Sequence, residues 1–280
     1  MCIRDSSRGA CPELYTATLE VCNILGIELD EDSLRSASCT GAGVLQEKNL
    51  RLGDTLNART FAMAEKAGLP LMTICSTCQG VMSQANQRLV SDPEYLASIN
   101  EDLKEEGLEY KGTINPKHLL WIIVEDLGMD FFHSKVVRKL EGLKLAPFYG
   151  CYIVRPTEAL GFDENPERET SLEAVIEAVG AEVVDFPGKT LCCGFPILTI
   201  NPKNSVKMVA NHTIDAKDRG ADAMVTPCPL CHLNLDGYQP NASSAAKRDI
   251  DLPIIHLPQL VGLSLGIAVS YTHLTLPTKA

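Results

Sequence analysis

The sequence predicts an α/β protein built by tandem duplication of one cysteine-rich α/β unit, its two copies related by a pseudo-twofold. Three observations lead there. Short apolar runs alternate with helical patterns, as expected of strands joined by helices. Cys39, Cys75 and Cys78 recur at a single offset of 153 residues as Cys192, Cys228 and Cys231. The contexts repeat too: Cys39-Thr40-Gly41 and Cys192-Cys193-Gly194 each lead through a helix and a short strand into Cys-x-x-Cys. Residues 9–145 form the first predicted unit, with a helical insertion within 80–145, and residues 146–268 the second.

Along the chain, residues 1–8 and 269–280 carry no pattern that continues into their neighbours and resemble translated adapter read-through. They are expected to be non-native tails on a truncated chain, and Cys2 is given no role. Leu14, Thr18, Val21 and Leu25 line one face of a predicted helix that Gly26 stops. Ile27 and Leu29 suggest a short strand, followed by a loop from Ser36 to Gly43. A helix from Thr55 to Lys66, capped by Gly68, precedes a buried strand at 71–74 that delivers Cys75-Ser76-Thr77-Cys78. Val81, Ala85 and Leu89 continue as a helix, and the charged stretch 91–112 suggests a solvated helix face. Amphipathic helices are expected from His118 to Leu127 and from Phe131 to Leu140, then a strand from Leu143 to Tyr149 ending at Cys151. In the second unit, helix 172–179, strand 182–186, the Cys192-Cys193 loop, helix 206–217 and strand 223–226 lead to Cys228-x-x-Cys231. Ile254 to His256 and Pro258 to Leu265 supply a last strand and helix.

Composition narrows the function. Of 280 residues 45% are apolar and 22% charged, which suits a folded core, and the net charge of −11 argues against a nucleic-acid partner. No apolar run approaches the roughly 20 residues of a membrane-spanning helix, and the first 30 residues lack a secretory pattern. A cytoplasmic location is expected, where structural disulfides are rare, so eleven cysteines point to metal or redox chemistry. Gly41-Ala42-Gly43 lacks the third glycine of a dinucleotide fingerprint, and no Ser-His-Asp or paired-carboxylate motif stands out.

Cys-x-x-Cys places two thiolates on one turn, within reach of one metal ion or one cluster. The side chains of adjacent cysteines diverge, so Cys192-Cys193 suits a larger object with ligand positions on several sides. With Cys151, Cys228 and Cys231 they make five thiols, pointing to an iron–sulfur assembly, with structural zinc, a vicinal disulfide or plain packing as alternatives. In the first half Cys39, Cys75 and Cys78 remain for a cluster or zinc. Thr40 stands in place of Cys193, and the counterpart of Cys151 falls at or before the start of the chain, with Cys11 a candidate substitute. Cys22, on a helix, suggests a core thiol, and His232 a supporting donor or helix-start residue. His118 and His256, each before an apolar helix, suggest structural duplication.

Cys151, Cys192-Cys193-Gly194 and Cys228-x-x-Cys231, with Phe148-Tyr149-Gly150 and the run from Thr226 to Asp236 around them, carry a resemblance. They resemble the cysteine-rich domain that occurs twice in the B-type subunit of the CoB–CoM heterodisulfide reductase family. The resemblance implies a flavin-free subunit with non-cubane [4Fe–4S] clusters, one per five-cysteine motif, that cleaves a disulfide with electrons from a neighbouring subunit. It implies that Cys151, Cys192, Cys193, Cys228 and Cys231 hold the substrate-proximal cluster. Cys39, Cys75, Cys78 and the candidate Cys11 would form a degenerate first site for a [4Fe–4S] cluster or zinc. The implied partners are a ferredoxin-like iron–sulfur subunit and a flavoprotein subunit. Related bacterial subunits imply instead a non-catalytic wire or membrane-docking component beside succinate dehydrogenase subunits in a succinate:quinone oxidoreductase, peripheral at the inner face of the membrane. A zinc-stabilised interaction module is the third possibility.

Overall fold

The strands among the described residues are short and all parallel, so each needs a crossover to reach the next. A computed structural model describes residues 1–4, 11–41 and 43–268. In the first unit, strand β1 (Cys2–Arg4) is followed by helices α1 (Pro12–Leu25), α2 (Val44–Lys48) and α3 (Leu50–Ala67). Strand β2 (Leu71–Thr73) then runs into α4 (Ser76–Ser91) and α5 (Pro93–Leu103) before β3 (Lys117–His118). Helix α6 (Leu119–Trp121) continues through a wider π-turn at Ile122–Gly128 into α7 (Met129–Lys135). The second unit runs β4 (Lys144–Pro147), α8 (Ser171–Ala178), β5 (Glu182–Val183), α9 (Pro202–Asp218), β6 (Ala223–Thr226). Helices α10 (Pro229–Gly237) and α11 (Gln239–Ala246), strand β7 (Ile254–His256) and α12 (Leu257–Ser264) complete it.

Two parallel sheets result, ordered β1-β2-β3 and β5-β4-β6-β7. Their registers correspond: Thr73 pairs with His118 in the first sheet as Thr226 pairs with His256 in the second. Matching backbone angles at Cys75 (φ −131°, ψ 119°) and Cys228 (φ −131°, ψ 117°) confirm the duplication at single-residue level. Neither unit keeps a core to itself. One cluster joins Val21 and Met72 to Leu145, Val225 and Ile255; the other joins Phe61 and Tyr110 to Phe148, Phe186 and Val209.

Several expectations need correction. Ile27 and Leu29 do not form a strand. Asp30 makes one bridge, its N–H donating to Met1 O (2.8 Å), and its carboxylate then captures the N–H groups of Asp32 and Ser33 and turns the chain. The helix expected from Phe131 to Leu140 ends at Lys135, because the N–H groups of Val137 and Arg138 both turn to Ser264 O. Stretch 91–112 is more than a solvated face: α5 buries Ile99 and Leu103, and Arg51–Asp102 and Arg59–Glu106 pairs tie this stretch to α3. Within residues 1–8, expected to be a tail, Cys2 to Arg4 pair with Leu71 to Thr73 as a sheet edge. The tail expected at 269–280 lies outside the described residues.

Candidate metal centres

Strand β4 ends against a tight turn: Gly150 has φ +72°, and a Cβ there would come within 3.0 Å of Cys231 Sγ. Only glycine fits both demands, and the turn delivers Cys151. Cys192 and Cys193 lie between two single 3₁₀ turns, Pro187–Thr190 and Phe195–Ile197, with Cys193 buried and Cys192 half-buried. Gly194, at φ +96°, lets the start of α9 approach so closely that a Cβ would meet Ser205 at about 3 Å. The loop is pinned by its carbonyls. His212 Nε2 donates to Cys192 O (2.9 Å) and Asn234 Nδ2 to Cys193 O (2.8 Å). Cys228 is the residue before α10 and Cys231 lies in its first turn, both buried.

These five thiols line one small cavity, shared with Ser76, Thr77, Tyr152 and Phe195. Backbone N–H groups point at the sulfurs: Gly194 N lies 3.4 Å from Cys192 Sγ and Phe195 N 3.5 Å from Cys193 Sγ. Hydrogen bonds from the thiols of Cys151 and Cys193, with the Gly194 N–H, hold Cys192 far below the ordinary thiol range. The same contact with Cys192, then burial, drives Cys151 up. Burial opposes ionisation at Cys228, but the thiols of Cys231 and Cys75 and the N–H of Thr77 outweigh it and favour the thiolate. The structure thus gathers all five predicted ligands and surrounds them with donors suited to sulfur anions.

The first site repeats the plan with losses. Gly41 N lies 3.4 Å from Cys39 Sγ, the distance found at Gly194. Thr40, buried, occupies the place of Cys193. Cys75 precedes α4 and Cys78 lies in its first turn. Cys39, Cys75 and Cys78 share a cavity of about 370 Å³ with Cys11, which is 1% exposed at the start of α1. Sheet register locates the missing counterpart of Cys151. Ile3 pairs with Met72 as Pro147 pairs with Val225, so four residues on from Ile3 the position is Ser7, outside the described residues. The wall opposite the thiols comes from the other unit: Phe195, Pro196, Leu198, Leu230 and Leu233.

The two sites meet at the pseudo-twofold. Cys75 Sγ and Cys228 Sγ are 3.8 Å apart. His118 Nε2 donates to Pro227 O (3.0 Å), the carbonyl before Cys228, and His256 Nε2 donates to Ile74 O (3.2 Å), the carbonyl before Cys75. Duplication predicts that the two histidines match, and the structure adds that their bonds cross between the units. The crossing has no local signal in the sequence, since each partner lies over 100 residues away. Cys22 is a core thiol, pushed up to about 12 by burial. His232 is half-buried in α10 and lines neither cavity.

The donor set fits a thiolate-bound iron–sulfur group at the second site, with five sulfurs around one space and amide N–H groups behind them. Among the described residues no three His, Cys, Asp or Glu side chains converge as a set for a single metal ion. At the second site thiol–thiol contacts draw the five sulfurs together around a space of only about 10 Å³, against about 370 Å³ at the first.

Residues 2–83 and 145–236 each match the model of the family described as CCG, cysteine-rich domain. The chain is 38% identical over 244 residues to the 8-methylmenaquinol:fumarate reductase membrane anchor subunit of Wolinella succinogenes, covering 87% of this chain and 84% of that one. It is 32% identical over 245 residues to the B-type subunit of the ferredoxin/F(420)H(2)-dependent CoB-CoM heterodisulfide reductase of Methanosarcina acetivorans, covering 86% and 81%. In fold it resembles a hypothetical protein from Helicobacter pylori solved by crystallography, with a TM-score of 0.74 at 16% identity. That match covers 98% of this chain and spans half the length of the other.

Proposed function

This chain belongs to the CCG cysteine-rich domain family, and from that footing we propose that it is an iron–sulfur redox subunit of a multi-subunit oxidoreductase. The observation that carries the proposal is the convergence of Cys151, Cys192, Cys193, Cys228 and Cys231 on one cavity, with N–H donors on two of the sulfurs. A [4Fe–4S] group, non-cubane to use a fifth thiolate, would supply one-electron chemistry there. The chain's own part is to fix the ligands and tune them. His212 and Asn234 hold the carbonyls of Cys192 and Cys193, and Gly194 and Phe195 donate to their sulfurs. The half-buried Cys192 and Cys151 form the approachable side, while Cys193, Cys228 and Cys231 are sealed.

At the first site Cys39, Cys75, Cys78 and Cys11 are the proposed ligands. Four thiols around about 370 Å³ leave room for a cluster as well as for zinc, and the cluster is the reading proposed. The acceptor proposed for the whole is a disulfide, as in the relative named for a heterodisulfide reductase, working with ferredoxin-like and flavoprotein subunits. The relative named a membrane anchor subunit supports a second reading, an electron-passing or docking subunit beside succinate dehydrogenase-type partners. No helix among the described residues is long and apolar enough to cross a membrane, so docking would proceed through the surface or through partners.

The test is iron, acid-labile sulfide and zinc analysis of the full chain purified without oxygen. Iron and sulfide in equal amounts are expected, both lowered in parallel by Cys231→Ala, which disrupts the second site alone. Zinc without iron would leave the zinc-stabilised interaction module as the surviving reading.

A further inference from the structure

Each cavity takes part of its wall from the Cys-x-x-Cys spacer of the other unit, and the two spacers differ in chemistry. Ser76 faces the second cavity alone and Pro229 the first alone, while Thr77 and Leu230 reach both. From the facing spacer the second site therefore meets two hydroxyls, that of Thr77 turned toward Cys228 Sγ, and the first meets a proline ring and a leucine, with Thr199 also reaching it from the second unit.

Both hydroxyls are placed to act. Ser76 is 2% exposed, and its Oγ has no hydrogen-bond partner although it lines the thiol cavity. A buried hydroxyl left unpaired costs roughly 1–3 kcal/mol, so its retention calls for a partner that a filled site would provide. Thr77 Oγ1 lies 3.7 Å from Cys228 Sγ, and the Thr77 N–H faces the same sulfur. A liganding cysteine has lost its proton, so in the occupied site the hydroxyl must be the donor. Both residues open α4, where the N–H groups have no partner within the helix; α10 opens with Pro229, which has no N–H at all.

We infer that Ser76 and Thr77, though they belong to the first motif, are tuning residues of the second metal centre, donating hydrogen bonds to its sulfurs and raising its reduction potential. Donors to sulfur stabilise the more negative, reduced state. The spacer of one unit would thus set the potential of the centre held by the other. This rests on the iron–sulfur proposal above.

The experiment is a potentiometric titration, followed by electron paramagnetic resonance, of the full chain reconstituted with iron and sulfide. A Cys39→Ala/Cys78→Ala background empties the first site and leaves one signal. In that background Ser76→Ala/Thr77→Val is expected to keep its iron and to titrate at lower potential, and Thr77→Ser is expected to titrate with the unsubstituted background. In the chain with all its cysteines the same double variant is expected to lower the second midpoint by more than the first. An unchanged midpoint with iron bound overturns the inference and leaves the iron–sulfur proposal standing. Loss of iron from Thr77→Ser as well as from the double variant would make the spacer merely structural and also overturn it. A chain without these substitutions that binds no iron overturns both.

Discussion

Cys193 is the residue at which the two copies part company: its counterpart Thr40 is equally buried but offers a hydroxyl for a thiolate. The thiol of Cys193 bridges its neighbours, bonded on one side to Cys192 and on the other to Cys231. Replacing it with serine keeps size and a weak donor while removing the soft ligand iron prefers. Cys193→Ser is therefore expected to retain the fold and thermal midpoint of the apoprotein, but to bind less iron at the second site or to give an altered resonance spectrum. A spectrum and iron content equal to the parent's would mean that four thiolates suffice. The cysteines that gather are largely legible in the sequence, because spacing within one turn of a helix is local information. Why Cys11 joins Cys39, Cys75 and Cys78 is not, since it depends on how α1 lies against the start of α4. Ser76 and Thr77 are unreadable as second-site residues for the same reason.

At the scale of elements, α4 and α10 are one helix used twice, and their differences show where packing takes over from pattern. Gly80 in α4 has no room for a side chain: a Cβ would collide with Tyr152 O and stand 2.9 Å from the Tyr152 ring. Backbone on the other unit cannot step aside as a side-chain tip can. Gly80→Ala is expected to destabilise the chain by about 1–3 kcal/mol through overpacking, despite alanine's better helix propensity. Gly237, at the end of α10, has nothing within 4 Å of its Cβ position, so Gly237→Ala should be neutral or slightly stabilising. Urea unfolding of both variants checks the contrast, and equal shifts would show that Tyr152 does not press on α4. The buried strands β2 and β6 are readable as apolar runs. Helices α10 and α11 carry a weaker pattern after Cys231, although projecting α4 by the repeat finds α10. Ile27 and Leu29 look like a strand because their apolar alternation is real, yet Asp30 diverts the backbone before a ladder forms.

The whole molecule is two units that do not close separately. Tyr152 of the second unit fills the space above Gly43 and Gly80 of the first, and both cores run through both halves. The crossed histidines extend this interlock to the peptide preceding each Cys-x-x-Cys. His118 Nδ1 accepts from Leu120 N (3.0 Å), which leaves Nε2 as the protonated nitrogen that donates to Pro227 O. A proton added to Nδ1 would break the first bond and bury a charge. Burial accordingly lowers His118 to about 4 and His256 to about 3, against roughly 6.5 in the unfolded chain. Between 6.5 and those values the unfolded chain binds more protons than the folded one, so stability rises with pH across that window and is unaffected by these rings above it. The apoprotein is thus expected to lose on the order of a few kcal/mol per ring as pH falls from 6.5 toward 3, beyond what its carboxylates contribute. His118→Gln/His256→Gln removes both titrations while glutamine keeps an N–H for the facing carbonyl. Its urea midpoint should lie below the parent's at pH 8 and fall less steeply below pH 6.5. Parallel curves for parent and variant over that range would mean that the rings titrate alike in the folded and unfolded chains and that burial does not hold them neutral.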